Sequence, residues 1–479
     1  MKSIRHSSAP LRRGIRFALG MVCLALLSMV GLLLLWGIGL VAYFHLARPK
    51  TPVVDDGDLR LVEPAVSDDE NAYVAFMAVT NLLDCSCEDR EALHAYTRHC
   101  DGQPESFGSW RRDGTPEACR AEVDRILAER AEGLKGLHRA VLRPKYRIVP
   151  DADGSCFPPI SAMSLAHSFL QVQADRARER GDFEQAFAAE RDGFRLETLC
   201  RNNASTLVEG IVGGGFGAQS CRRLASLANE DGVSDGLLTA VAELLRDDFD
   251  VKALFERTVR REYSSVTCRS LDRMGDTVSV DELSLLLQGR LNALIPTDSR
   301  MSCPHAPVIA RMPGFARFAY DRERTRQDLA SVFRAGLAGR DIKEMLPRPR
   351  SILQPNFVGR LVARGVAPAF KGFSCHLKES LFALRAARTA VAIRRYGRAN
   401  AGAVPSDLSA LVPTYLGEVP RDPFAPDRAL EYDAATRQIW TVGPDGDFNA
   451  LDSGRTAKAD SRRKRAKCAF RLDGKRFER

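Results

Sequence analysis

No charged residue occurs between Phe17 and Phe44, a run of 28 positions. About 20 apolar residues already cross a hydrocarbon core, and buried helices of globular domains rarely run so long without a charge. The run is also about twice the 7 to 15 residues of a secretory h-region, and it ends in Tyr43, Phe44 and His45 instead of a small-x-small cleavage site. No acid precedes it, whereas Lys2, Arg5, Arg12, Arg13 and Arg16 do, and Asp55, Asp56 and Asp58 follow soon after. Such asymmetry favours an inside N-terminus. The expectation is therefore a cytoplasmic tail over 1–16 and a transmembrane signal anchor over 17–44, with the lipid bilayer as a partner. The protein would be single-pass in the inner (cytoplasmic) membrane, and the bulk of the chain extracytoplasmic, in the periplasm.

Histidine is scarce, eight in 479 residues, and no catalytic signature surrounds any of them. A basic body is also lacking. The net charge of +9 resides in the ends: Arg455–Arg479 carries eleven Lys or Arg against three acids, and residues 1–16 add five cations, so the chain between is slightly acidic. That distribution argues against nucleic acid as a partner. Residues 453–479 read as a basic disordered tail, whose run Arg462, Arg463, Lys464, Arg465 and Lys467 suits either plain solvation or contact with anionic lipid, cell-wall polymer or an acidic partner.

Twelve cysteines are present, one of them, Cys23, inside the uncharged run. In an oxidising compartment Cys85, Cys87, Cys100, Cys119 and Cys156 read as a local disulfide framework within a Cys-rich helical segment over 45–160. Unpaired buried thiols are the second reading. A zinc site from Cys85-x-Cys87 and His99-Cys100 is the third, although structural sites usually separate their thiolates by two to four residues. The odd outward count leaves at least one thiol free or paired between chains.

Helical periodicity fills most of the chain after Glu70. Tyr73, Phe76, Met77, Val79 and Leu82 or Leu83 make a stripe over 71–83, with a cap expected from Ser67-Asp68-Asp69-Glu70. A Gly- and Pro-rich loop follows over 101–116. A helical domain is expected over 161–345, opening with a hairpin of 165–180 and 183–199 broken at Gly181-Asp182. Ala174, Ala177, Ala186 and Ala189 form its small-residue face. The pair looks like one tetratricopeptide-like unit, yet no 34-residue self-similarity accompanies it. Further helices are expected at 236–246, 280–294 and 322–338, and the Pro-rich stretch 346–355 marks a boundary.

Ile211 to Ala218 contains G-x-G-x-x-G/A, the dinucleotide fingerprint. Its surroundings do not suit that role. No buried strand precedes it, and no strand ending in an acid follows about 20 residues later. No nucleotide is therefore expected, and the glycines read as a face along which two helices approach closely.

The last unit, 346–452, combines a long helix with a β-hairpin. Leu377, Leu381, Leu384, Ala387 and Val391 step by four and three, while Arg385, Arg388, Arg395 and Arg398 take other faces and Gly397 suits a helix stop. Pro405, Leu408, Leu411, Val412, Pro413, Tyr415 and Leu416 follow, then Val419-Pro420-Arg421-Asp422-Pro423-Phe424, a strand at 429–432, a second at 438–442, and Val442-Gly443-Pro444-Asp445-Gly446-Asp447. This order resembles the C-terminal half of the major pseudopilin of type II secretion, in the variant fused to uncharacterised membrane-anchored proteins. The likeness covers about 375–450. The family's G-F-T-L-x-E processing signal does not precede Phe17, and Gly372-Phe373-Ser374 is internal. The resemblance implies a calcium site in the final loop, for which Asp445, Asp447 and Asn449 present hard oxygens in alternation. A Gly-Pro-Asp-Gly turn whose acids cap backbone amides is the plainer reading.

The fold class expected is thus mainly α: an N-terminal transmembrane helix, an extracytoplasmic helical domain and a small α+β pseudopilin-like C-terminal domain. The function expected is a membrane-anchored extracytoplasmic scaffold or protein-interaction module, linked to secretion or envelope organisation and awaiting a protein partner. The alternative is an extracytoplasmic hydrolase. Its candidate groups are adjacent pairs: Cys303 near His305, Cys375 beside His376, and His167 beside Ser168. Neighbours on a helix point about 100° apart, which is not the geometry of a triad.

Overall fold

The computed structural model describes residues 28–29, 31–32, 34–48, 50–61, 64–100, 116–149, 159–274, 314–340, 345–347, 349, 351, 353–444 and 469–472. In chain order the helices are α1 (Ala72–Leu83), α2 (Cys87–Cys100), α3 (Pro116–Glu129), α4 (Ala131–Val141), α5 (Ile160–Glu179), α6 (Phe183–Asn203), α7 (Leu207–Ala228), α8 (Asp235–Leu244), α9 (Val251–Arg261), α10 (Cys268–Met274), α11 (Phe315–Ala319), α12 (Arg322–Leu337) and α13 (Phe357–Ala399). Strands β1 (Glu431–Asp433), β2 (Gln438–Trp440) and β3 (Ala469–Arg471) form an antiparallel sheet in that order. The chain divides into two compact units, one of Met1–Asp56, Ser270–Ala335 and Arg340–Ala367, the other of Gly57–Arg269, Gly336–Gly339 and Pro368–Arg479.

The smaller unit is built on aromatic packing. Phe44 is fully buried, 4.9 Å from the Phe315 ring and 5.1 Å from Phe318, and the Tyr43 ring lies tilted 5.4 Å from Phe318 while its hydroxyl donates to the Leu353 carbonyl. Asn356, in the left-handed region at φ 56°, accepts from the Asp321 amide and the Thr325 hydroxyl and donates to Asp328. Its amide side chain thereby satisfies the start of α12. These contacts correct the fold expected for the N-terminus. Among the described residues no helix is long and apolar enough to cross a membrane. Residues 34–46 are helical, but Tyr43 and Phe44, at the end expected to mark a bilayer surface, pack into this aromatic cluster. Residues 1–27 lie outside the described residues, as does the helix expected at 280–294.

The larger unit has two cores. In the first, Tyr73 and Phe76 of α1, Leu93 and Tyr96 of α2, Val123 of α3, Leu137 of α4 and Phe169 of α5 are buried together. Asn71 caps α1 in place of the expected Ser67–Glu70: its Oδ1 accepts from the Tyr73 and Arg147 amides, and its Nδ2 donates to the Arg147 carbonyl. The α5/α6 hairpin turns where expected, with Gly181 at φ 74° and Asp182 capping Gln185, and all four alanines of its small-residue face are buried.

The second core joins α6, α7, α8 and α13 to the sheet. The stripe Leu377, Leu381, Leu384, Ala387 and Val391 is buried along α13. Gly397 does not end that helix. Gly402 does, at φ 85°, its amide donating back to the Gly397 carbonyl at 2.7 Å. Asp422 knots the loop that follows: it accepts from the Phe424 amide, the Thr441 hydroxyl and the Val442 amide at 2.6–2.8 Å. The hairpin pairs Tyr432 with Ile439, and β3, lying inside the segment expected to be disordered, sets Phe470 opposite Ile439 with both side chains buried.

The glycines of the fingerprint lie within α7, preceded by helix α6 and not by a strand. A Cβ on Gly213 would meet the Arg201 backbone nitrogen at 3.0 Å, and one on Gly210 the Phe373 ring, while Gly215 faces open space. Both faces are thus helix contacts. The cysteine framework is not formed among its described members: Cys85, Cys87, Cys100 and Cys119 are thiols. Cys87 and Cys100 begin and end α2, ~20 Å apart by helical rise, far beyond the few ångströms that a disulfide or one metal ion spans. Cys156 lies outside the described residues.

Gly213→Val is expected to destabilise the protein by about 1–3 kcal/mol through overpacking, and Gly215→Ala to stabilise it by about 0.5–1 kcal/mol through helix propensity. Urea unfolding of the two variants checks both signs. Iodoacetamide added to the native protein should alkylate exposed Cys87 and spare buried Cys119, Cys200 and Cys221, whose thiols burial holds well above their usual range; peptide mass spectrometry reads the result.

Candidate functional site

Charge inside the larger unit is concentrated where α5, α6 and α7 meet. Arg223 of α7 donates from Nε to Glu190 Oε1 at 2.7 Å and from its terminal nitrogens to both oxygens of Asp175, at 2.7 and 3.2 Å. Arg178 reaches the same Glu190 oxygen and the Arg223 carbonyl. Burial raises the proton affinity of the Glu190 carboxyl and lowers that of the Arg178 guanidinium, each opposed by its ionic partners. This network pins three helices together and lines no described cavity.

Beside it, His167 Nδ1 lies 2.8 Å from Glu197 Oε1, close enough for an ion pair but misaligned for a hydrogen bond. Its Nε2 is 2.7 Å from Gln171, and its ring stacks on Phe216 at 4.5 Å. Ser220 donates to Glu197 at 2.8 Å, on the carboxylate and not on the imidazole. A triad needs its hydroxyl on the base, so the constellation cannot activate Ser220. The adjacent pairs fare no better. Ser168 donates to the Ser164 carbonyl, and His376 faces Glu379. Cys303 and His305 lie outside the described residues.

A third buried group sits at the start of α7. Thr206 accepts from the Glu209 amide, Glu209 Oε2 from the Ser205 amide, and Glu262 from the Leu207 amide. The helix N-terminus is therefore closed by side chains. Burial pushes Glu209, fully shielded from solvent, up to about 7, with the Ser205 amide opposing, and pushes Glu262 likewise to about 7. The neighbouring Tyr146 hydroxyl and Cys200 thiol are driven well above their usual ranges, also by burial.

A cavity lies elsewhere in this unit. About 610 Å³ opens between the last turns of α13, the 402–404 turn, the β1–β2 turn and the residues after α7. Arg394 and Arg398, one helical turn apart, line it from α13, and Arg437 and Arg471 from the sheet. The two sheet arginines are neighbours because the Leu472 amide donates to the Arg437 carbonyl at 3.0 Å. Arg394 pairs with Asp231 at 3.1 Å and Arg398 with Asp235 at 2.7 Å, but both acids are almost fully solvent-exposed, so neither pair holds its arginine strongly. Arg394 Nε is buried with no hydrogen-bond partner, and exposed Arg437 has no ion pair with a described residue. Ala390, Ile393 and Leu472 give the cavity an apolar floor. Its volume is that of an ordinary ligand site. A lining of guanidinium forks over apolar carbon is suited to holding carboxylates or phosphates, and the cavity contains no histidine or cysteine.

Asp445, Asp447 and Asn449 lie outside the described residues. Among the described residues no group of three or more His, Cys, Asp or Glu is placed to hold a metal ion. The arginine pocket itself was not anticipated from sequence; the four-residue spacing of Arg394 and Arg398 was its sole local signal. Comparison with protein-family models, with curated proteins and with solved structures finds no match for this chain.

The native state keeps the Glu209 proton between about pH 4.5 and 7, where the unfolded chain releases it. Stability is therefore greatest below that window and falls as pH rises through it, by about 3 kcal/mol if Glu209 acts alone. Glu209→Gln should flatten this slope and raise stability at pH 8, as measured by urea unfolding at a series of pH values.

Proposed function

We propose that the protein is a non-enzymatic scaffold or protein-interaction module. One observation carries this reading: the Glu190, Glu209 and Glu262 carboxyls, whose proton affinity burial raises, sit in helix packing and are not among the residues that line the cavity, which is built of arginines and apolar carbon. An enzyme needs its acid, base or nucleophile at the place where substrate binds. A binding module needs recognition groups there instead. The helical layers supply the rigid frame, and the C-terminal unit, pseudopilin-like in the order of its motifs, supplies the contact surface, with secretion or envelope organisation as the proposed setting.

Proximity labelling from the C-terminal unit in intact cells is expected to enrich a small, reproducible set of proteins, and the set should shrink in an Arg437→Glu variant of unchanged circular dichroism. Uniform labelling with no enriched neighbour would overturn the proposal.

A further inference from the structure

His138 of α4 meets Asp192 of α6 away from both the ionic network and the cavity. The imidazole Nδ1 lies 2.6 Å from Asp192 Oδ2, and Asp192 is almost fully buried whereas the histidine side chain is 43% exposed. A carboxylate on Nδ1 holds the neutral ring in the tautomer that carries its proton there, so the free lone pair is on Nε2. Nε2 has no hydrogen-bond partner among the described residues and stays open to solvent. Two other histidines differ in just these respects. His167 is buried with a neighbour at each nitrogen, and His376 lies 3.2 Å from Glu379 without an aligned hydrogen bond.

The surroundings select the kind of electrophile. The second Asp192 oxygen lies 3.5 Å from Arg191 Nε, which leaves Oδ2 to the imidazole. Arg195 follows Asp192 by three residues on the same face of α6, half-buried and without an ion pair or hydrogen bond to a described residue. Lys135, on the His138 face of α4, is taken up by Glu132 at 2.7 Å. An oriented nucleophile beside an uncommitted guanidinium favours an anionic electrophile, and the planar fork of arginine matches phosphoryl oxygens.

We propose that His138 is a phosphoryl acceptor, modified at Nε2 by a donor of the phosphoramidate or acyl phosphate class, with Asp192 as its positioning residue and Arg195 on the incoming phosphoryl oxygens. The Nε2 lone pair forms the bond to phosphorus, the bond from phosphorus to the donor's leaving group breaks, and its electron pair departs with that group as ammonia or a carboxylate. The Nδ1 proton stays on the ring, and Asp192 meets the positive charge that the ring gains. The product adds about two negative charges to an exposed helix face, a change large enough to alter what docks there.

The test uses the full chain and potassium phosphoramidate, with phosphohistidine read by ³¹P NMR and located by mass spectrometry at alkaline pH. Labelling is expected at His138 and on Nε2, absent from His138→Ala, and slowed about tenfold in Asp192→Asn, since a hydrogen bond to a charged group is worth about that factor. Arg195→Gln should slow phosphorylation several-fold and leave the reaction of His138 with diethyl pyrocarbonate, an uncharged acylating reagent, at the wild-type rate. Circular dichroism and the urea midpoint establish that each variant is folded, and if Asp192→Asn is not, the labelled nitrogen in the wild type and the Arg195 comparison still decide. No labelling, labelling spread evenly over the histidines, attachment at Nδ1, or an unchanged rate in folded Asp192→Asn would overturn the proposal. Equal phosphorylation of the wild type and Arg195→Gln would overturn its phosphoryl specificity. Proximity labelling from the C-terminal unit is untouched by any of these results, so the interaction-module reading stands or falls separately.

Discussion

The close approach of α7 to its neighbours is the constraint on which the larger unit depends. Gly213 admits the α6 backbone at Arg201 and the Cys200 Cβ, and Gly210 admits the Phe373 ring of α13. A helix with ordinary side chains on both faces would hold α6 and α13 farther apart, at the usual 8–10 Å between axes. With α7 drawn in, Arg223 reaches Asp175 on α5 and Glu190 on α6 at once. The ionic network thus follows from the glycines, and the second core and the pocket wall on α13 follow from where α7 sits.

The buried polar groups are fitted to structure more than to chemistry. Arg178 and Arg223 balance the charges of Asp175 and Glu190, and Glu209 and Glu262 close the amides at the start of a helix. Burial raises the proton affinity of Glu209 without giving it anything to act on. Reactivity needs access, and Asp175, Glu190, Glu209 and Arg223 have almost none, whereas the accessible cavity is lined by arginines and apolar carbon.

The helices were legible because their apolar stripes are long and regular. Periodicity located α5, α6, α12 and the buried line of α13 to within a few residues, and the glycine run was correctly denied a nucleotide-loop geometry by its helical surroundings. Local signals misled where tertiary contacts decide. Asn71, not Ser67–Glu70, caps α1 because the chain near Arg147 returns to meet it, a contact some 75 residues away. Tyr43 and Phe44 read as the end of a membrane span and instead pack on Phe315 and Phe318, which lie about 270 residues downstream. Strand β3 was hidden by its company: Phe470 and Leu472 stand among so many cations that the average charge of the window concealed an alternating apolar pattern. The pocket shared that fate, since its arginines meet only when α13, the hairpin and β3 are assembled.

The late position of β3 has a consequence for synthesis. Its partner β2 is made with its other neighbour β1 in a local hairpin, but Phe470 lies about 30 residues beyond Ile439, and closing that loop costs more entropy. A nascent chain that has passed Trp440 but not Leu472 therefore shows the ribosomal surroundings an open sheet edge, a template for unwanted pairing. The cavity is completed last as well, since Arg471 and Leu472 of its lining are made only after the hairpin.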